Sequence, residues 1–167
     1  LTKSWVSSLN RLRSARRRGS AWTMNFPRAS VAERFGYRGY IGSRPYMGER
    51  ATQHAQNLVI RDYCKNRGMT YLLSGTEYAI PGSTMILKQM LDSLEQLDGI
   101  VFYSMFQLPE NTQDRIKIYQ QVLACNKSIH FAVETLMLNE EQDCHRLEDI
   151  WGVHQIMKNL PNVQELL

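Results

Sequence analysis

The stretch DGIVFYSMFQLPEN, residues 98–111, decides the fold. Its first part, GIVFYS (99–104), is a continuous apolar run, the signature of a strand covered on both faces. The rest, MFQLPEN (105–111), reads as the loop beyond that strand. Downstream, residues 112–125 carry a helical pattern and IHFAVE (129–134) reads as another strand. A final helix spans about 139–158, opened by Asn139, Glu140 and Glu141, an acidic first turn that suits the helix dipole. Upstream, GYRGYI (36–41) reads as a short strand despite its glycines. The pattern over 48–66 predicts a helix with Ala55, Leu58, Val59, Asp62 and Tyr63 along one stripe, stopped by Gly68 after Lys65 and Arg67. TYLLS (70–74) is the next strand and GTEYAIPGS (75–83) a loop. Ser83 then caps a helix over 84–97, whose apolar face is Met85, Ile86, Met90, Leu91 and Leu94. Strands separated by helices imply right-handed parallel crossovers. The expected architecture is α/β, a doubly wound, mainly parallel sheet of about four strands flanked by helices.

A chain of 167 residues with 43% hydrophobic content can bury one good core and is short for two domains. The formal charge of +4 is unevenly placed. Residues 1–32 hold seven of the 20 basic side chains and no acidic one, so the rest is net acidic, with 13 basic against 16 acidic. Composition therefore predicts a basic, disordered or non-native extension over 1–32, with Met24 as a sensible start, and a single domain over 33–167. The acidic balance of that domain argues against nucleic acid as its partner. Cys64, Cys125 and Cys144 are widely spaced and without a C-x-x-C pair, which points to a reduced, cytoplasmic protein. No apolar stretch approaches the 18 residues or so of a membrane span.

In such a sheet all parallel strands end at one rim, where ligands bind. Ser43 and Arg44, Ser74 and Glu77, Ser104 and Gln107, and Glu134 fall at or just past strand ends. The first helix adds a row at four-residue spacing, Gln53, Asn57 and Arg61, whose amides and guanidinium suit carboxylates, phosphates or sugar hydroxyls. Its neighbour His54 reads as a solvated side chain. Glu77 and Glu134 are candidates for an acid/base pair, or equally for capping and ion pairing. His130, inside a strand, reads as a core histidine. His145 and His154 stand too far apart on one helix to share a metal, and Cys144 faces another way, so no metal site is expected. Met85, Met90 and Met105 read as core filler. Neither G-x-x-x-x-G-K-[ST] nor G-x-G-x-x-G occurs, and no cofactor is expected.

The order of elements over about 36–135 resembles the catalytic domain of serine recombinases, which implies a resolvase-like, flavodoxin-like topology. YIGS stands where that family has Tyr-x-Arg-x-Ser, and Ser43 at its nucleophile. CKNRG, Glu77, DGIVFYSMFQLPEN and FAVE match further landmarks. The chain departs from the family where the chemistry lies. Gly42 occupies the region of an arginine, and Gln107 and Glu110 stand where paired arginines stabilise the attacked phosphate. No helix-turn-helix module follows the last strand.

A second resemblance covers nearly everything after the basic arm. GYRGYIGSRP, QHAQNLVIRDYC, YLLSGTEYAIPGS, DGIVFYSMFQLPEN and FAVETL are similar to the sporadic carbohydrate cluster proteins, an uncharacterised bacterial family. That resemblance implies an accessory protein or enzyme of surface carbohydrate synthesis, of O-antigen or exopolysaccharide type, with a sugar or nucleotide-sugar as ligand. On this reading Ser43, Glu77 and Glu110 are the candidates for chemistry. Arg44, Gln53, Asn57, Arg61, Ser104, Gln107 and Glu134 are the candidates for binding. The alternatives are a non-catalytic protein that oligomerises through Ile150, Trp151, His154, Met157 and Lys158 of its final helix, and a DNA-binding or strand-exchange protein of serine recombinase type.

Overall fold

A computed structural model describes residues 35–45 and 51–159 of the chain; the predicted basic extension lies outside them. The apolar run becomes strand β3, Gly99–Phe102, every residue of which is buried. It lies at the middle of a five-stranded sheet of order β2-β1-β3-β4-β5, with β1 Tyr37–Gly42, β2 Tyr71–Glu77, β4 Ser128–Phe131 and β5 Leu136–Leu138. The first four strands are parallel and β5 runs antiparallel to β4. Helices α1 (Gln53–Asn66), α2 (Met85–Asp92), α3 (Thr112–Ala124) and α4 (Glu141–Asn159) complete the fold.

Side chains of β3 alternate between two cores. Ile100 and Phe102 join Tyr40, Ile129, Phe131 and Leu138 beneath α2, α3 and α4. Val101 joins Ile41 and Ala132 on the other face, beneath Ile60, Tyr63 and Cys64 of α1. Burying each such large side chain contributes roughly 1.5–3 kcal/mol. The sheet is thus doubly wound. Gly99 is required for the close approach of β3 to β4, because a Cβ there would lie 2.1 Å from the Ser128 carbonyl oxygen.

Several predicted elements shift. β5 is an additional strand: the expected strand over 129–134 ends at Phe131, and the chain turns through Thr135, whose φ is 54°. A β-branched residue in the left-handed region is rare, so nothing in FAVETLML announces a turn. β2 continues through Gly75 to Glu77, since these residues pair with Tyr40, Ile41 and Gly42 of β1. Ser83 does not cap α2. Thr84 holds that position, and the Ser83 hydroxyl donates to Glu77 instead. α2 ends at Asp92, followed by a separate turn of 3-10 helix at Leu94–Gln96. α1 opens at Gln53, with Thr52 accepting from the Ala55 amide. Its buried face is Gln56, Ile60, Tyr63 and Cys64, so the helix is rotated from the predicted stripe and leaves Leu58 and Val59 exposed. Among the described residues no helix is long and apolar enough to cross a membrane.

His130 lies in the α1-side core. Its Nδ1 is 3.1 Å from the Tyr63 hydroxyl and its Nε2 3.1 Å from the Ser128 hydroxyl. Burial, aided by the nearby Arg67 charge, pushes its pKa down to about 4. The unfolded chain, with a histidine pKa of about 6.5, therefore binds the proton more readily in acid. Stability is expected to be complete above about pH 6.5 and to fall by on the order of 3 kcal/mol as pH drops towards 4. Urea titrations across that window measure the slope, and the slope flattens in His130→Gln; an equal slope in the variant refutes the assignment.

Candidate functional site

The strand ends at the rim are tied together by side-chain amides. Gln56 is fully buried at the start of α1. Its Nε2 donates to the carbonyls of Gly42 (2.7 Å) and Ala51 (2.8 Å), and its Oε1 accepts from the Gly42 amide (3.0 Å) and from Gln107 Nε2 (2.9 Å). Both donors and both acceptor sites are used. Gln107 Oε1 accepts in turn from the amides of Tyr103 (3.1 Å) and Ser104 (3.3 Å). This chain of amides joins the end of β1 to the end of β3. Ser104 donates to Glu134 Oε1, and Glu134 Oε2 accepts from the Met105 amide, which joins β3 to the turn after β4.

Glu77 has a comparable duty. Its buried carboxylate accepts from the hydroxyls of Tyr40 (3.2 Å) and Ser83 (2.7 Å) and from the amides of Tyr78, Ile86 and Leu87. Burial alone would raise its pKa, but these donors outweigh burial and hold it below the ordinary carboxylate value. Five donors leave it as the anionic cap of α2, with no free lone pair for moving a proton.

On the α2–α4 side the rim opens into a cleft of about 1290 Å³. Arg44 stands at its edge, close to the phenol of Tyr40, and Lys88 of α2 faces the same space. Phe106, Trp151 and His154 form an aromatic wall, with Phe106 4.6 Å from His154 and 5.2 Å from Trp151 between ring centroids. That wall is backed by Arg115, which is buried on the inner face of α3. All five of its N–H groups are bonded. Nε and one Nη hold Glu148 of α4 at 2.8 and 2.6 Å, and the others reach Thr112 and the carbonyls of Pro109 and Glu110. Its guanidinium also lies 4.3 Å over the Trp151 ring.

Of the predicted residues, Arg44, Gln107 and Glu110 line the cleft, and Glu110 is highly exposed and ion-paired with Lys158 at 3.6 Å. Ser43 sits beside Arg44 and accepts from Gln53. Asn57 accepts from the Tyr71 hydroxyl, while Arg61 borders a separate depression with Leu58, Asp62, Lys65, Met69 and Tyr71. The Gln53, Asn57 and Arg61 row therefore does not form a wall of the cleft. Glu77 and Glu134 are engaged at different strand ends and make no acid/base pair. The oligomerisation face predicted on the final helix is largely used within the chain: Trp151 is buried, and the exposed apolar residues are Val153, Ile156 and Met157. Gln56, Lys88, Phe106 and Arg115 were not among the sequence candidates. Arg115 carries a legible signal, since it shares the apolar face of Ile118, Tyr119 and Val122.

Solved structures that this one resembles include two recombinase domains. The N-terminal catalytic domain of TP901-1 integrase matches with a TM-score of 0.53 over 75% of this chain and 99% of that domain, at 13% identity. A resolvase family site-specific recombinase from Streptococcus pneumoniae also gives 0.53, over 78% of this chain and 93% of that one, at 8% identity. The fold is resolvase-like. No family model and no curated protein matches the sequence.

Replacing Arg115 strands the Glu148 carboxylate and frees two carbonyls. Arg115→Ala is expected to cost about 3–5 kcal/mol of unfolding free energy, the usual result of breaking a buried pair from one side. Removing both partners, in Arg115→Met with Glu148→Leu, costs clearly less than that. Denaturant unfolding of the variants checks both expectations.

Proposed function

We propose that the chain binds a phosphorylated, sugar-related ligand in the cleft, as an accessory protein of bacterial surface carbohydrate synthesis. The observation that carries this reading is the pair Arg44 and Lys88. Both line the cleft, and neither forms an ion pair among the described residues. Lys117 and Lys158, which line the same cleft, are matched by Asp114 and Glu110. Two cations that line one cleft without an ion-pair partner among the described residues favour an anion, and Arg44 offers a planar fork suited to phosphate. The volume of about 1290 Å³ exceeds the range of about 300–1,000 Å³ usual for small-ligand sites, which leaves room for a ligand extended beyond its phosphate. The sugar comes from the sequence resemblance to the sporadic carbohydrate cluster proteins. The reading is one of binding, because Glu77 is saturated and Glu110 is exposed and paired.

The likeness of fold favours a second reading, DNA strand exchange of serine recombinase type, more than it favours carbohydrate chemistry. On that reading Ser43, at the end of β1, is the nucleophile and Arg61 of α1 belongs to the DNA-facing surface. Arg44 is the cation nearest to Ser43 in sequence, and Gln107 stands in an amide network where the phosphate would call for positive charge.

The two readings share Arg44 and differ at Lys88 in the cleft and Arg61 on α1. In calorimetric titrations with hexose phosphates, Arg44→Ala and Lys88→Ala should each weaken binding about tenfold or more, with little change in melting temperature. Unchanged affinity in both variants overturns the cleft as the site. Duplex-DNA binding that falls in Arg61→Ala and persists in Lys88→Ala supports the second reading.

A further inference from the structure

The cationic pair accounts for one end of the cleft only. The cleft also carries the aromatic wall, whose Trp151 is buried in the core and whose Phe106 packs against it. Trp151 is held between the Arg115 guanidinium, 4.3 Å over its ring, and the edge of Phe106. Arg115 itself cannot turn, because each of its N–H groups is bonded. Phe106 sits in the 3-10 turn Met105–Gln107, whose capping box joins Ser104 and Gln107, and whose first amide is bonded to Glu134. His154 completes the wall from α4, with its ring 4.6 Å from that of Phe106. The half-buried rings of Phe106 and His154 therefore present a fixed surface to the cleft. Glu110, Asp114 and Lys117 line the same cleft, Glu110 paired with Lys158 and Asp114 with Lys117, so their remaining acceptor and donor capacity is open to hydroxyls. The wall is continuous with the core, since Trp151 is buried in it and Phe106 packs against it, and the outer parts of Phe106 and His154 remain towards the cleft.

We infer that this wall is a second subsite, which holds the glycosyl ring of the ligand whose phosphate sits at Arg44 and Lys88. The inference rests on the proposed binding function and names what lies beyond the phosphate. A pyranose presents a C–H face to an aromatic ring while its hydroxyls project to the side. Carboxylates and an ammonium group placed around the ring then accept from and donate to those hydroxyls. A rigid wall keeps the ordering cost of binding low. Because the wall and the cationic pair belong to different elements, each end contributes to affinity through its own part of the ligand.

The full-length protein is titrated with inorganic phosphate, hexose phosphates and uridine diphosphate, using wild type, Lys88→Ala, His154→Ala and Phe106→Leu. His154→Ala removes a half-exposed ring and keeps the fold, which a melting curve verifies. Expected is a loss of about tenfold for hexose phosphates in His154→Ala, with phosphate itself affected less than about twofold. Phe106→Leu shows the same selectivity, and His154→Phe restores most of the loss. Lys88→Ala weakens all three ligands. Equal losses for phosphate and hexose phosphates in His154→Ala, or none for either, overturn the subsite while leaving the phosphate site standing. Selectivity seen with uridine diphosphate and absent with hexose phosphates overturns the glycosyl assignment in favour of a base. If wild type binds none of the three, both the subsite and the proposed function fall.

Discussion

A single buried guanidinium organises one half of this molecule. Arg115 lies on the inner face of α3, where an apolar residue would be expected, and spends every donor it has on fixing three pieces of chain. Glu148 ties it to α4, the carbonyls of Pro109 and Glu110 tie it to the loop after β3, and Thr112 ties it to the first turn of its own helix. Tyr119 adds a fourth contact through Glu148. Taking a charge out of water is costly unless every hydrogen-bonding group is satisfied. Here all are, and the consequence is geometric. The relative placement of α3, α4 and the rim loop defines the cleft, and Trp151 stacks on the guanidinium that sets it.

The rim itself is stiffened by residues that look reactive in the sequence. Gln107, Ser104, Glu134 and Glu77 sit at or just past strand ends, where a doubly wound sheet gathers its ligands, and Gln56 reaches them from the first turn of α1. Their bonds, however, are to the chain. Amide-to-amide contacts join β1 to β3, and the Glu77 carboxylate takes the place of a helix cap for α2. In this resolvase-like fold, Gln56, Gln107, Ser104, Glu134 and Glu77 at the rim are neutral or saturated by bonds to the chain. Arg44 just past β1 and Lys88 of α2, cations without an ion-pair partner among the described residues, both line the cleft.

The strand-and-helix order was legible because β3 is apolar throughout and the helices between strands are amphipathic. Register and boundaries were less so. Thr135 makes a turn in a backbone region that its side chain disfavours, so β5, just beyond the strand read over 129–134, goes unseen. Gly75 looks like a strand breaker, yet β2 passes through it paired with Tyr40, and a Cβ there would lie 2.6 Å from the Ile86 side chain of α2. The site was partly legible for the same reason. Proximity to strand ends picked out Arg44 and Gln107, but a sequence does not tell a polar residue that faces a cavity from one that faces the backbone. Glu77 and Glu110 illustrate the two outcomes, one saturated in the interior and the other paired at the surface. Lys88, Phe106 and His154 come from helices and a turn, so position relative to a strand could not find all of them.

The central claim is that ligand recognition belongs to the cleft between α2, α3 and α4, while the α1 side of the rim is scaffold. Amide chemical-shift mapping on titration with a hexose phosphate tests it most directly. Perturbations clustered at Arg44, Lys88, Phe106 and His154 are predicted. Perturbations that instead run along Ser43, Gln53, Asn57 and Arg61, with the cleft silent, would contradict it.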